Sequence, residues 1–273
     1  MTKLKGKVVF ITGGSRGIGR QIALKAASDG AHIVIAAKTA EPNPKLDGTI
    51  HSVAKEIEAA GGRCLPLQVD IRDECQIHEA VKQATQHFGR IDVLVNNASA
   101  ISLTPTLMTQ PKKFDLMFGV NVRGTFMTSQ ACLPHLMKSD NPHVLTLSPP
   151  LNMAPKWFEK NCAYTMAKYG MSMCVLGMSA EFREKGIAFN ALWPVTMIAT
   201  EAFKAIDTSI PFDRMRKPEI VAEAAYVIVT RPSRDCTGNF FTDEQVLKEA
   251  GITDFSGFAV NSEKQLLPDF FLD

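Results

Sequence analysis

Tyr164 and Lys168 are the residues whose types and spacing most directly indicate chemistry in this sequence. They stand four positions apart in an apolar segment, 163–176, whose pattern predicts a helix. Residues at i and i+4 share one face of a helix, so the phenol and the ammonium point the same way. A neighbouring cation favours the phenolate and lowers the tyrosine pKa from about 10 toward neutrality. The pair is a candidate acid/base couple, although the same spacing is also typical of an ordinary amphipathic helix.

A glycine-rich segment near the N-terminus is the second candidate site: Gly13-Gly14-Ser15-Arg16-Gly17-Ile18-Gly19. It follows an apolar run at 7–12, and a helical pattern continues through residue 27. Where a strand leads through a glycine-rich turn into a helix, the backbone can come close to a pyrophosphate bound at the helix N-terminus. The spacing differs from both G-x-G-x-x-G and the P-loop. We interpret it as a nucleotide-binding loop, and the alternative is a structural turn.

The end of the next predicted strand, 32–37, bears on the choice of cofactor. An NAD site has an acid here for the ribose 2′-OH, whereas a cation accommodates the 2′-phosphate of NADP. This strand ends in Lys38-Thr39, and Arg16 lies in the glycine-rich loop. The two cations favour NADP(H) over NAD(H). The alternative is that Lys38 is a solvated lysine at the start of the proline-rich loop 40–48.

Four further residues stand where predicted strands end, which is where open α/β sheets bind ligands. Asp70 follows 63–69, Asn97 lies where the strand 91–99 runs into small polar residues, Ser148 ends 143–148 and Pro194 follows 187–193. A helix N-cap is an equally good interpretation of Asp70.

The order of elements indicates the fold class. Helical patterns cover 49–61, 74–88, 114–137 in two pieces divided near Asn121, 164–185 and 218–229, and 238–241 is a seventh strand. Alternating strands and helices predict an α/β, Rossmann-type doubly wound seven-stranded parallel sheet with helices on both faces. We expect one domain over 1–273, with a lid-like helical insert at 200–216 and a partly helical tail from 243.

Composition excludes several classes of protein. The chain has 273 residues, 45% hydrophobic and 21% charged, with a net charge of +2, so no strong attraction to nucleic acid is expected. No apolar run is long enough to span a membrane. The six cysteines and six histidines lack metal-ligand spacing, so no metal is expected. Residues 1–7 lack a signal peptide, and a cytoplasmic location is expected.

Together, these motifs resemble the short-chain dehydrogenase/reductase family over about residues 5–242. The motifs that carry the resemblance are Gly13-x3-Gly17-x-Gly19, Asn96-Asn97-Ala98, Ser148 and Tyr164-x3-Lys168. The resemblance implies that Tyr164 exchanges a proton with the substrate oxygen and that Lys168 lowers its pKa and holds the nicotinamide ribose. It also implies that Ser148 hydrogen-bonds the substrate oxygen and that Asn121 supports a relay water.

The same resemblance implies the cofactor contacts. Asp70 should contact adenine, Asn97 should brace the fourth strand and Pro194 should line the nicotinamide side. Thr196 and Thr200 are both candidates for the carboxamide. The expected cofactor-binding residues are Gly13, Ser15, Arg16, Gly17, Ile18, Gly19, Lys38, Asp70, Asn97, Tyr164, Lys168, Pro194 and Thr196.

More narrowly, the segments 36–42, 96–102, 148–152 and 268–272 resemble the hydroxysteroid-dehydrogenase-like branch of the family. Animal members of that branch carry a following sterol-carrier domain and are peroxisomal. This sequence stops where that domain would begin, so we expect neither the carrier function nor the peroxisomal address to apply.

The sequence also departs from the family pattern. Ser99 and Val195 stand where glycine is usual, and Ser148 and Tyr164 are 16 positions apart, farther than usual. The extra residues include Met153, Trp157 and Phe158. We interpret them as an apolar wall that favours a bulky hydrophobic substrate; a surface loop held by ordinary packing is the alternative.

The sequence therefore predicts an NADP(H)-dependent oxidoreductase that interconverts a carbonyl and an alcohol. The alternative is a regulatory protein that senses NADP(H) without turnover. A homodimer or homotetramer is expected, because helices 122–137 and 164–182 carry more apolar and small residues than one side of a sheet needs. The alternative is that both helices simply cover this chain's own sheet.

Overall fold

Seven parallel strands form one sheet in the computed structural model, which describes residues 3–42, 47–201, 203 and 211–273. The strand order is β3-β2-β1-β4-β5-β6-β7. The strands are β1 Val8–Thr12, β2 His32–Ala37, β3 Arg63–Gln68, β4 Val93–Asn96, β5 His143–Thr146, β6 Ala188–Trp193 and β7 Phe240–Thr242. The predicted doubly wound parallel sheet is confirmed.

The strand order reverses next to β1, whose neighbours are β2 and β4. Thr12 at the end of β1 pairs in register with Asn96 at the end of β4. The loops that follow these strands lead to opposite faces of the sheet and leave a crevice between them, where ligands bind in such folds. The glycine-rich loop follows β1 and Asn97 follows β4, so both lie at this crevice.

Helices cover both faces of the sheet. They are α1 Gly17–Ser28, α2 Ile50–Ala59, α3 Glu74–Phe88, α4 Pro111–Met117, α5 Thr125–Leu136, α6 Cys162–Glu181, α7 Glu219–Val229 and α8 Asp243–Glu249. Val9 and Ile11 of β1 face a core with α1, α2, α7 and α8, whereas Val8 and Phe10 face one with α3, α5 and α6. Burial on both faces explains why β1 is apolar at successive positions.

A third apolar cluster lies beyond the sheet and includes Tyr164, Tyr169, Trp193 and Phe271. Phe271 belongs to the C-terminal segment 268–272, which therefore packs against α6 and the end of β6. The sequence predicted a partly helical tail, and α8 confirms its first part. The return of the segment 268–272 to the carboxyl end of the sheet was not predicted.

A π-helical turn, Phe118–Gly124, separates α4 from α5, so the predicted division into two pieces near Asn121 is confirmed, although the π-helical form of the division was not predicted. A π turn inserts a residue into the helix and is frequent at functional sites. Strand β5 ends at Thr146, so Ser148 stands two residues beyond it. Much of the lid-like insert predicted at 200–216 lies outside the described residues. Within the described ranges, no helix combines the length and apolarity that crossing a membrane requires.

Candidate active site

A cavity of about 390 Å³ opens at the carboxyl ends of the strands and extends from the glycine-rich loop to Tyr164 and Lys168. The structure thus brings the two candidate sites of the sequence together. Of the predicted residues, those that line it are Gly13, Ser15, Arg16, Gly17, Ile18, Lys38, Asp70, Asn97, Tyr164, Lys168 and Pro194. Gly19, Asn121, Ser148 and Thr196 are not in its lining.

The glycine-rich loop is built by backbone that side chains would obstruct. Gly13 has φ +68°, a left-handed conformation, and a Cβ added there would stand 2.8 Å from Ala98 Cα. A Cβ on Gly19 would stand 2.4 Å from Asn97 Nδ2. That nitrogen donates to the backbone oxygens of Thr12 and Gly13, at 3.0 Å each. Asn97, which the resemblance implied would brace the fourth strand, thus ties the end of β4 to the end of β1 and fixes the loop.

A group of charged residues stands at the same end of the cavity. Lys38 Nζ lies 3.1 Å from Asp70 Oδ2, and the Arg72 guanidinium lies 2.6 Å from the same oxygen. Hydrogen bonds from Arg72, with a smaller effect of Lys38, hold the pKa of Asp70 well below its usual range. The N-cap of α3 is Asp73, so the N-cap interpretation of Asp70 is wrong.

Arg16 holds a neighbouring loop over the glycine-rich loop. Its Nε donates to the Asp47 carbonyl at 3.0 Å and its Nη2 donates to the Gly48 carbonyl at 2.8 Å. The guanidinium also lines the cavity, as does Lys38. Two cations therefore flank the glycine-rich loop, with one acid, Asp70, beside Lys38.

Tyr164 and Lys168 lie in the first two turns of α6, and both are buried. Lys168 Nζ donates to the Leu147 carbonyl at 2.7 Å and lies 4.9 Å from the centre of the Trp193 ring. Burial lowers the pKa of Lys168 to about 7, while the charge of Asp269 opposes that shift.

Burial, with a smaller effect of Asp269, raises the pKa of Tyr164 above its usual value. The predicted lowering of this pKa is therefore wrong for the pocket in this structure, because desolvation of the phenolate dominates. A phenol that stays protonated at neutral pH is suited to donate a proton.

Ser148 and Asn121 stand behind the cavity lining. Ser148 is fully buried, and its Oγ has no hydrogen-bond partner among the residues that the structure describes. A buried hydroxyl without a partner is costly unless a ligand satisfies it. Asn121 Oδ1 accepts from the Ala100 backbone nitrogen at 2.7 Å, and its Nδ2 donates to the Ala100 carbonyl at 3.0 Å. Asn121 thereby fixes the segment that includes Ser99 and Ile101 of the lining.

The sequence analysis missed several residues of the cavity lining, among them Trp193, Asp269 and Phe270. Asp269 N donates to the Val195 carbonyl at 3.0 Å, and Trp193 Nε1 donates to the Phe270 carbonyl at 2.9 Å. The tail has an apolar composition but no periodicity, so its only signals in the sequence were an apolar end to the chain and the resemblance of 268–272 to one branch of the family.

The structure bears on two further expectations: the apolar wall over the site and the contact of a threonine with the carboxamide. Trp157 and Phe158 pack in the cluster of Tyr164, but neither lines the cavity, and Met153 is exposed. Ordinary packing therefore accounts for this segment better than a direct wall over the site. Of the two threonines, Thr200 lines the cavity, whereas Thr196 is buried beside it with an Oγ1 that lacks a partner among the described residues.

The cavity fits a dinucleotide. Gly13 and Gly17, which have no side chain, line it, α1 begins at Gly17 directly at the loop, and the cations Arg16 and Lys38 are in the same lining. Backbone N–H groups and a positive helix terminus are the groups that bind a pyrophosphate.

Comparison with known proteins agrees with this geometry. A family described as short chain dehydrogenase matches residues 7–210. Hydroxysteroid dehydrogenase-like protein 2 of Danio rerio is 61% identical over 99% of this chain, which spans 65% of the length of that relative.

Two solved structures have the same fold over nearly the whole chain. A protein from Xanthomonas campestris is 53% identical, with a TM-score of 0.94 over 99% of this chain and 98% of its own. A short chain dehydrogenase from Mycobacterium thermoresistibile is 49% identical, with a TM-score of 0.94 over 99% of this chain and 96% of its own. On this evidence the chain belongs to the short-chain dehydrogenase family of oxidoreductases.

Proposed function

We propose that this protein is an NADP(H)-dependent oxidoreductase that interconverts a carbonyl and an alcohol, with Tyr164 as general acid and base. The observation that carries the proposal is the joint lining of one cavity by the glycine-rich loop, Tyr164 and Lys168. The glycine-rich loop would hold the pyrophosphate of a dinucleotide, and the cavity continues from this loop to the buried phenol of Tyr164. Hydride chemistry requires such a water-poor pocket with a proton partner for the substrate oxygen.

The residues of this chain divide the work between proton transfer and positioning. NADP(H), when bound, supplies or accepts the hydride. Tyr164 donates a proton to the carbonyl oxygen during reduction and removes it during oxidation. Lys168 holds the nicotinamide ribose and places its positive charge beside the phenol. The family resemblance assigns the hydrogen bond to the substrate oxygen to Ser148, whose buried Oγ has no partner among the described residues. Asn121 fixes the segment around Ala100 and supports the proton relay.

The preference for NADP(H) rests on charge at the glycine-rich loop. Lys38 and Arg16 both line the cavity there, and a 2′-phosphate interacts well with such cations. Asp70 lies beside Lys38 as its ion-pair partner. A metagenomic short-chain oxidoreductase with this fold was crystallised with NADP and a Mycobacterium paratuberculosis dehydrogenase with NAD, so the fold itself does not determine the choice.

A neutral, bulky apolar substrate suits the other end of the cavity. Ile101, Val120, Trp193 and Phe270 line it, and apolar walls of this kind bind by excluding water. We propose in addition a homodimer or homotetramer formed through α5 and α6. Exposed apolar side chains on these helices support it: Phe126, Met166, Met173 and Leu176.

The test is reduction of the bulky dicarbonyl 9,10-phenanthrenequinone by NADPH, followed at the absorbance of NADPH. Tyr164→Phe is expected to lower kcat by about 10²–10⁴-fold, because the proton donor is lost, while the NADPH dissociation constant stays unchanged. Tyr226→Phe is the matched control, since Tyr226 hydrogen-bonds Asp29 away from the cavity and its loss leaves turnover unchanged.

Full activity of Tyr164→Phe would overturn the assignment of the general acid. Tight NADPH binding by the wild type, without reduction of this or any other neutral ketone or aldehyde probe, would favour the sensing alternative. Absence of NADPH binding would contradict both.

A further inference from the structure

Asp269 places a third ionisable side chain in the pocket of Tyr164 and Lys168. It lines the same cavity and is only 8% exposed. Its Oδ1 accepts a hydrogen bond from the Phe270 backbone nitrogen at 2.7 Å. This donor is neutral, so the bond does not balance the negative charge of the carboxylate. A carboxylate is stable in such a site when a cation shares it.

The C-terminal segment 268–272 holds Asp269 in place by contacts on both of its sides. Asp269 N bonds the Val195 carbonyl, and Trp193 Nε1 bonds the Phe270 carbonyl. Phe271 is 2% exposed and lies against the rings of Tyr164, Tyr169 and Trp193. Its φ of +73° is a left-handed conformation, which a residue with a Cβ adopts only when surrounding contacts impose it. The position of Asp269 is therefore set by packing.

Lys168 is the cation that shares this pocket. Its ammonium is buried, donates to Leu147 O at 2.7 Å and lies over the Trp193 ring. The carbonyl and the ring favour the charged form, but neither carries a full negative charge. Desolvation lowers the pKa of Lys168 to about 7, and the negative charge of Asp269 opposes that effect.

Other charged groups also stand around Asp269. Asp243 is a second buried acid whose Oδ1 accepts from the Val195 nitrogen at 2.9 Å, and Arg216 and Glu244 stand beside it as an ion pair at 2.7 Å. Burial and the charge of Asp243 raise the pKa of Asp269 to about 7, whereas Lys168 lowers it. Of the other cations in the described lining, Arg16 bonds the Asp47 and Gly48 carbonyls and Lys38 pairs with Asp70. Lys168 is the lining cation on the same helix as Tyr164.

We propose that Asp269 is the counter-charge that keeps Lys168 protonated in the closed pocket and that it acts through Lys168 on proton transfer at Tyr164. Asp269 is thus a positioning residue of the reaction, and this inference rests on the proposed function. A neutral Lys168 would withdraw its positive charge from the phenol, so the charge balance depends on a residue about a hundred positions farther along the chain.

The first test is the pH profile of kcat for 9,10-phenanthrenequinone reduction by NADPH between pH 5 and 10. Asp269→Asn removes a negative charge, which lowers the pKa of both Lys168 and Tyr164. The pH profile of kcat should therefore shift to lower pH by about one unit. Asp269→Glu restores the wild-type profile. Asp273→Asn is the matched control: this exposed carboxyl bonds Asn152 Nδ2 at 2.9 Å in the same tail, and its loss leaves the profile unchanged.

A lower kcat with an unshifted profile in Asp269→Asn would overturn the inference, because it would show that Asp269 only supports the segment. The same shift in Asp273→Asn would also overturn it, since loosening of the tail would then be sufficient.

The second test needs neither substrate nor cofactor, so it remains decisive if the proposed function fails. Melting temperatures are measured for Asp269→Asn, Lys168→Met and the double variant. If the two charges interact, the loss in the double variant is smaller than the sum of the single losses near pH 7. At pH 5 Asp269 is protonated and the losses add. Additive losses at both pH values would contradict the charge pairing.

Discussion

The two ends of the cavity are constructed in different ways. The cofactor end comes from loops of the first half of the chain and depends on a backbone turn, with glycines at 13 and 17 in the lining and a third, Gly19, packed against Asn97. The substrate end brings together side chains from distant parts of the chain: Ile101 and Val120, α6, the end of β6 and the C-terminal segment. A backbone turn that requires glycine appears in the sequence as a local motif. A pocket formed by side chains that are distant in the chain appears in the sequence only as apolar composition. The difference explains which parts of the site a sequence reveals.

The largest effect is expected at the substrate end, from Phe271→Ala. This ring is fully enclosed by Tyr164, Tyr169 and Trp193, so its removal leaves a cavity and costs about 3–5 kcal/mol in the free energy of unfolding. Denaturant unfolding measures this loss. Because the cofactor end is built independently, the NADPH dissociation constant below the transition should change by less than about twofold.

Leu107→Ala is the control for that experiment, since Leu107 is fully exposed and its truncation should change stability by less than about 0.5 kcal/mol. Loss of NADPH binding in folded Phe271→Ala would show that the two ends are coupled and would remove the contrast between them.

Gly19→Ala tests the backbone of the cofactor end. The added methyl would stand 2.4 Å from Asn97 Nδ2, whose hydrogen bonds to Thr12 and Gly13 hold that side chain in place. Displacing Asn97 should cost about 1–3 kcal/mol of stability and weaken NADPH binding at least about tenfold. Calorimetry of unfolding and of NADPH binding measures the two effects.

Gly177→Ala is the matched control in α6. Its added methyl would meet no atom within 4 Å, so replacement inside the helix should stabilise the protein by about 0.5–1 kcal/mol. Equal NADPH affinities in the two alanine variants would show that the close approach at Gly19 is not needed for binding.

The sequence predicted the fold and many of the residues that line the cavity at the glycine-rich loop. Periodicity identified the seven strands, since strands buried on both faces are apolar runs between helical patterns. The glycine spacing and the i, i+4 pair Tyr164 and Lys168 are local, so they could be read without the fold. Their meeting in one cavity follows from strand ends that share one edge of the sheet.

The rest depends on contacts between distant residues. Asp269 stands in a tail without periodicity, and only the packing of Phe271 on Tyr164 brings it to the site. The π-helical turn at Asn121 has no sequence signal, because it differs from an α-helix by one inserted residue. The protonation of Tyr164 was misjudged for the same reason, since desolvation depends on enclosure that the i, i+4 spacing does not show.

Lys38→Ala tests what a side chain, rather than the backbone, contributes to cofactor binding at the cofactor end. Lys38 is 61% exposed at its side chain and pairs with Asp70, so the fold should persist. Loss of one charge-assisted bond to the 2′-phosphate should weaken NADPH binding about tenfold and leave NADH binding unchanged. Fluorescence titration with both cofactors measures the ratio.

Lys82→Ala is the control for Lys38→Ala, because Lys82 pairs with Glu79 on α3, outside the cavity lining. Equal weakening of NADPH and NADH by Lys38→Ala would exclude a role for Lys38 in choosing the cofactor.

The smallest expected effect is on the pH dependence of stability. The acids of the two ends, Asp70 and Asp269, should change the stability in opposite directions as the pH rises. Arg72 and Lys38 hold the pKa of Asp70 below its usual range, so Asp70 contributes stability above about pH 4 that is lost as pH falls. Burial raises the pKa of Asp269 to about 7, so its contribution is full below about pH 4 and lost as pH rises toward 7. Relative to wild type, the melting temperature of Asp269→Asn should therefore rise by about 2–4 °C from pH 5 to pH 8. The deficit of Asp70→Asn should stay constant over that range and shrink below pH 4. Parallel pH trends in the two variants would show that the ends do not differ in this respect.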